Sequence, residues 1–128
     1  MEKSYEELVA QAREATAHVS VEEVHGALES GEDVTVVDVR EPDEWEAGHI
    51  PGARLIPRGI LEHRAAEELP DRDRRIVVHC NAGGRGALAA KTLKEMGYTN
   101  VANLEGGLNA WRERLRDRVT LRRRGSSR

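Results

Sequence analysis

Apolar residues along this chain fall into two kinds of block: short β-branched runs and longer stretches at helical spacing. VTVVDV at 34–39 is the densest run and reads as a strand buried on both faces. IVV at 76–78 is a second, and HVS at 18–20, RLI at 54–56 and VANL at 101–104 are shorter candidates. Between them the pattern turns helical. Ser20 stands as an N-cap ahead of Glu22 and Glu23, opening a helix that runs to about Leu28. The proline and acids of EPDEW at 41–45 mark the start of a short helix. Residues 60–68 form an amphipathic stretch stopped by Pro70. Residues 86–96 carry apolar side chains at 88, 89, 93 and 96, and Gly97 follows where a C-cap is needed. Residues 108–115 read as a last helix, and residues 4–15 as one at the front.

Strands alternating with helices predict an α/β domain, with a mainly parallel sheet and helices on both faces. The expected organisation is an N-terminal helical extension over 1–17, one domain over 18–116 and a basic tail over 117–128. In such sheets ligands bind beyond the carboxyl ends of the strands. Cys80 sits just past the end of the second strong strand.

Composition narrows the picture. A chain of 128 residues is one domain's worth. Phe is absent, so the predicted core is aliphatic, with Trp45 and Trp111 as its bulkiest members. No apolar run approaches the ~20 residues that span a bilayer. The first residues, MEKSYEELVAQAREA, lack the apolar segment of a secretory signal. A single cysteine cannot close an internal disulfide. These features give the expectation of a cytoplasmic protein with no membrane partner. The net charge of −3 hides an asymmetry: residues 112–128 carry eight arginines against Glu113 and Asp117, so that segment is +6 and the rest −9. The tail has no aromatics and no nucleic-acid motif, so it reads as a solvated terminus and nucleic acid is not an expected partner.

The chemistry centres on CNAGGRG at 80–86, which holds the only cysteine. The chain must turn there from strand to helix within a few residues. Glycines permit backbone angles closed to other residues and remove side chains that would block close approach. Successive N–H groups in such a turn form an anion-holding nest, and the following helix start adds its unpaired N–H groups and positive dipole end. Thiols in such settings ionise more readily than a free cysteine, and the thiolate is the nucleophile. From these residues alone, phosphate chemistry and sulfur chemistry both stand open, as does a buried cysteine with no chemistry.

VVDVREPDEWEAGHIPGARLIP at 36–57 resembles the upstream signature of rhodanese-like domains, and VVHCNAGGRGALAAKTLKEMGYTNVANLEGGLNAW at 77–111 their active-site loop, following helix and closing Gly-Gly-x-x-Ala-Trp. The resemblance spans about Val19 to Trp111. It implies a five-stranded parallel sheet flanked by helices, with the cysteine at the floor of a shallow pocket. The related cysteine phosphatases carry Cys-x5-Arg, whereas Cys80 and Arg85 form Cys-x4-Arg, a tighter loop. The resemblance therefore implies a sulfurtransferase that cycles through a Cys80 persulfide. The donor would be a small sulfur-containing anion: thiosulfate, polysulfide or a low-molecular-weight persulfide. The acceptor would be a thiol, cyanide or a sulfur-accepting protein. Loop N–H groups from Asn81, Ala82, Gly83, Gly84, Arg85 and Gly86 would hold the anionic sulfur, and Arg85 would orient or neutralise the donor's charge. Two departures stand out. Gly86 occupies a position that is often Ser in the family, and positions 81, 82 and 84 carry no added cations. A non-catalytic binding module, a phosphatase and an arsenate reductase are the competing readings.

Other polar residues are weighed beside the loop. Arg40 is a secondary candidate for donor binding, adding positive potential near the pocket. The structural reading, taken as the stronger, has Asp38 capping loop N–H groups and Arg40 bonded to a carboxylate such as Glu44 or Glu105. His49 is read as hydrogen-bonding its turn. His79 adjoins Cys80, but neighbouring strand residues face opposite ways, so a packing role is expected. No Cys/His cluster has metal-ligand spacing and the glycines match no nucleotide fingerprint, so neither metal nor cofactor is expected.

Overall fold

The β-branched runs become strands, and the computed structural model describes residues 2–115. The basic tail predicted for 117–128 lies outside the described residues. In chain order the elements are α1 (Tyr5–Ala15), β1 (Ala17–Val19), α2 (Val21–Glu29), β2 (Val34–Asp38), α3 (Pro42–Glu46), β3 (Arg54–Leu55), a 3-10 turn at Arg58–Ile60, α4 (Leu61–Glu68), β4 (Arg75–His79), α5 (Gly84–Glu95), β5 (Val101–Leu104) and α6 (Gly107–Leu115). The strands form one five-stranded sheet in the order β1-β5-β4-β2-β3, and every pairing is parallel.

Local signals set the helix starts. Ser4 and Ser20 each accept from the backbone N–H three residues on, and Glu7 and Glu23 return the bond to the cap residue's own N–H. These boxes begin α1 and α2. α5 starts two residues earlier than the apolar pattern predicts, because Gly83, at φ +125°, completes the turn and the first helical positions carry no apolar marker.

Strand alternation divides the core. Val37, Val39, Ile76 and Val78 pack with Leu61 and Ala65 of α4 and Ala89, Ala90 and Leu93 of α5. Val36 and Val77 face the other way, toward Val21 and Val24 of α2 and Leu108 and Trp111 of α6. α1 packs along α5, and Lys94 donates to the Ala15 carbonyl at 2.8 Å. Trp111 is buried as expected, but Trp45 is not a core residue. It lies half-buried on α3, its indole stacked on the His49 ring with centroids 3.5 Å apart. Tyr98 takes the large buried position instead. Its hydroxyl lies 2.6 Å from the Leu69 carbonyl and 3.0 Å from that of Ala65, anchoring the end of α4. Among the described residues, no helix is long and apolar enough to cross a membrane.

Candidate active site

β4 is the central strand of the sheet, and Cys80 is the first residue beyond its carboxyl end. Alternation continues past the strand: Cys80 falls on the face of Ile76 and Val78, and is buried. The chain then bends so that two backbone N–H groups converge on the sulfur. Gly83 N–H lies 3.0 Å from Sγ and Gly86 N–H 3.3 Å. Gly83 is the N-cap of α5, and Gly86 belongs to its first turn, whose N–H groups have no carbonyl to pair with. The sulfur thus sits where the helix start is most receptive to negative charge.

A second helix start holds the loop from the other side. At the head of α6, Leu108 N–H donates to the Cys80 carbonyl at 2.9 Å and Asn109 N–H to the Asn81 carbonyl at 3.0 Å. This contact requires Gly107. Its φ is +59°, and a Cβ there would stand 2.5 Å from the Asn81 carbonyl oxygen and 2.7 Å from that of Cys80. The Gly-Gly pair noted in the sequence is therefore part of the loop's support. Asn103, fully buried on β5, donates from Nδ2 to the Gly83 carbonyl at 3.3 Å. Its Oδ1 faces Gly86 so closely that a Cβ at 86 would overlap it. With Asn103 so placed, glycine at this position follows from packing.

Arg85 and Glu44 form the outer clasp. Nη1 donates to Oε1 at 2.8 Å and Nη2 to Oε2 at 3.1 Å. Glu44 also accepts from Asn81 Nδ2 at 2.9 Å and from the Glu41 N–H at 2.8 Å. The Arg85 hydrogen bonds, helped by the Glu41 N–H and opposed by burial, hold the Glu44 carboxyl at about 2. The same partnership raises the Arg85 pKa. The sequence offers Glu44 as a partner for Arg40; the structure gives it to Arg85 and Asn81 instead.

Arg40 is almost wholly buried and bonds neither Glu44 nor Glu105. Its Nε and Nη2 embrace Asp38, with Nη2 at 2.7 Å from Oδ2; Nη2 also donates to the Gly48 carbonyl at 2.8 Å. Asp38 accepts the Arg40 backbone N–H at 3.0 Å, the loop cap expected of it. Nη1 of Arg40 reaches Asn81 Oδ1 at 3.2 Å, so this buried pair touches the loop through Asn81. His49 Nδ1 donates to the Trp45 carbonyl at 2.9 Å, fixing its turn. His79 is fully buried on the face away from the thiol, with Nδ1 donating to the Cys80 carbonyl at 3.0 Å. Burial, outweighing the nearby Asp38 charge, pushes its pKa down, so the ring is neutral. Ala82 is exposed at the loop crest, and the remaining loop residues are partly or fully buried. Among the described residues, the hydrogen bonds to Sγ come from backbone alone.

The arrangement directs two backbone N–H groups at the Cys80 sulfur, where they can hydrogen-bond negative charge. Residues 20–114 match the model of the rhodanese-like domain. The chain is 33% identical, over 76% of its length, to the probable adenylyltransferase/sulfurtransferase MoeZ of Mycobacterium tuberculosis, and spans only 25% of that protein. It is 31% identical, over 82% of its length, to the thiosulfate sulfurtransferase GlpE of Pseudoalteromonas translucida, and covers 97% of it. Among solved structures, Rhodopseudomonas palustris RPA3614, described as a possible tyrosine phosphatase, is similar with a TM-score of 0.83 at 32% identity, over 89% of this chain and 92% of that one.

Proposed function

The chain belongs to the rhodanese-like domain family, and from that membership we propose that it moves sulfane sulfur from a donor to a thiophilic acceptor through a persulfide on Cys80. The observation that carries this reading is the pair of N–H groups, from Gly83 and Gly86, directed at Sγ from the start of α5. Such N–H groups can hydrogen-bond the negative charge carried by sulfur during the transfer. With thiosulfate as donor, the Cys80 thiolate attacks the outer sulfur, a new S–S bond forms, and the old one breaks with its electron pair leaving on sulfite. With cyanide as acceptor, the outer sulfur leaves as thiocyanate and the thiolate returns. Polysulfide or a small persulfide would enter the same step, and a thiol or a sulfur-accepting protein would replace cyanide. Four residues between Cys80 and Arg85 make a loop tighter than the Cys-x5-Arg of phosphatases, which supports sulfur over phosphate.

The test is sulfur loading followed by mass spectrometry. Incubation with thiosulfate, polysulfide or glutathione persulfide should add one sulfur atom to the wild type, and cyanide should remove it as thiocyanate. Cys80→Ser should do neither. A wild-type mass unchanged by all three donors would overturn the proposal. Cys80-dependent hydrolysis of an aryl phosphate would put a phosphatase in its place.

A further inference from the structure

The cations nominated from the sequence are both engaged: Arg85 by Glu44 and Arg40 by Asp38. A third cation stands beside the loop. Arg13, on α1, donates from Nη2 to both carboxylate oxygens of Glu105, at 2.9 and 3.2 Å. That bond carries the guanidinium across the loop, with Nη1 only 3.8 Å from where a side chain on Gly83 would begin. Among the described residues Nη1 has no hydrogen-bond partner. Gly83 is the residue whose N–H meets Sγ at 3.0 Å. Following that short path, Nη1 stands no farther than about 10 Å from the sulfur, which is comparable to the ~8 Å screening length at physiological salt.

The rest of α1 closes the same rim. A Cβ on Gly84 would overlap the Tyr5 hydroxyl and approach a Val9 methyl at 3.6 Å. Gly83 and Gly84 therefore make room for side chains of α1 as well as for a ligand. Glu105 is half exposed, so its grip on Arg13 is weak and leaves the free edge of the guanidinium open to a competing anion. The planar fork of arginine suits a sulfonate or carboxylate. All of α1 lies before the residues matched by the family model.

We propose that Arg13 is a specificity residue of this site, binding the negatively charged leaving group of the sulfur donor while the outer sulfur lies on Cys80. This rests on the sulfur-transfer reading of Cys80. It assigns the site to donors such as thiosulfate, whose leaving group is an anion, over donors whose leaving group is neutral or cationic.

The test compares two donors whose leaving groups differ in charge: thiosulfate, which releases anionic sulfite, and cysteamine persulfide, whose leaving group carries an ammonium. The readout is the rate of sulfur loading against donor concentration. Arg13→Gln should raise half-saturation by thiosulfate about tenfold, the worth of one charge-assisted contact, and leave or improve loading by cysteamine persulfide. Arg13→Lys, which keeps a cation beside Glu105, should retain a donor ratio near that of the wild type. An unchanged ratio in Arg13→Gln, or the same shift in both variants, overturns the assignment while leaving sulfur transfer intact. Loading of the wild type by cysteamine persulfide but not by thiosulfate overturns the assignment alone; failure to load from these two and also from polysulfide and glutathione persulfide overturns the transfer reading and this one with it.

Discussion

Glu44 and Arg85, 41 residues apart in sequence, meet through two parallel hydrogen bonds of 2.8 and 3.1 Å. Because Glu44 also accepts from Asn81, this one carboxylate ties both ends of the loop to the start of α3. Glu44→Gln keeps the shape but removes the charge. The expected loss is about 1–2 kcal/mol, less than for a fully buried pair because water reaches both side chains. The difference also has a pH signature. The folded value of about 2 lies below the ordinary 4.5, so the stabilisation is complete above 4.5 and disappears as pH falls through about 2. Urea midpoints of wild type and variant should therefore differ most at neutral pH and converge in acid.

The strands were legible because their β-branched runs do not depend on partners, and the alternation around Val78, His79 and Cys80 correctly turned His79 away from the thiol. Trp45 was misread because a tryptophan's bulk argues for burial, whereas its place on α3 and its stack with His49 are set by tertiary packing. Asn103 and Arg13 were not found, and Glu44 was given the wrong arginine, for a related reason. Each reaches the loop from another element, and local periodicity carries no information about which side chains a fold brings together. Gly107 stood in view as half of a Gly-Gly pair, but its role depends on the approach of α6 to the backbone of Asn81.

Arg40 offers a choice between structure and donor binding that one variant decides. Asp38 is fully buried and Arg40 is its cation, so Arg40→Gln leaves a carboxylate without charge compensation. Breaking one side of such a pair costs roughly 3–5 kcal/mol. The expected result is a large drop in the urea midpoint, visible without any substrate. A rise in donor half-saturation at unchanged stability would instead make Arg40 part of the donor site.

His79 gives the fold a second, separate sensitivity to acid. Its folded pKa lies below the ordinary 6.5 because the buried ring is costly to charge. Below pH 6.5 the unfolded chain takes up a proton at this position that the folded chain refuses, so stability falls as pH drops from 6.5 toward the folded value. His79→Asn removes that linkage. Between pH 7 and pH 5 the wild type should lose more stability than the variant, whatever the variant's stability at pH 7. Equal losses would mean that His79 takes up the same number of protons in both states.

Two glycines that touch the site should respond very differently to alanine. At Gly84 the obstacle is the Tyr5 hydroxyl, the far end of an exposed side chain, and the residue is the first of a helix rather than a position that needs glycine's backbone freedom. Tyr5 can swing outward, so Gly84→Ala should change the melting temperature little while altering the tyrosine's environment, as read by NMR. At Gly107 the obstacle is backbone: the Asn81 carbonyl at 2.5 Å and the Cys80 carbonyl at 2.7 Å, with φ already at +59°. Neither carbonyl can retreat without breaking its bond from Leu108 or Asn109 N–H. Strain at such a position is of order 1–3 kcal/mol, and the lost bonds add about 1 kcal/mol each. Gly107→Ala should therefore lower stability by several kcal/mol and slow sulfur loading of whatever protein remains folded, because the displaced carbonyls belong to Cys80 and its neighbour. Near-wild-type stability and loading in Gly107→Ala would show that the head of α6 does not hold the loop.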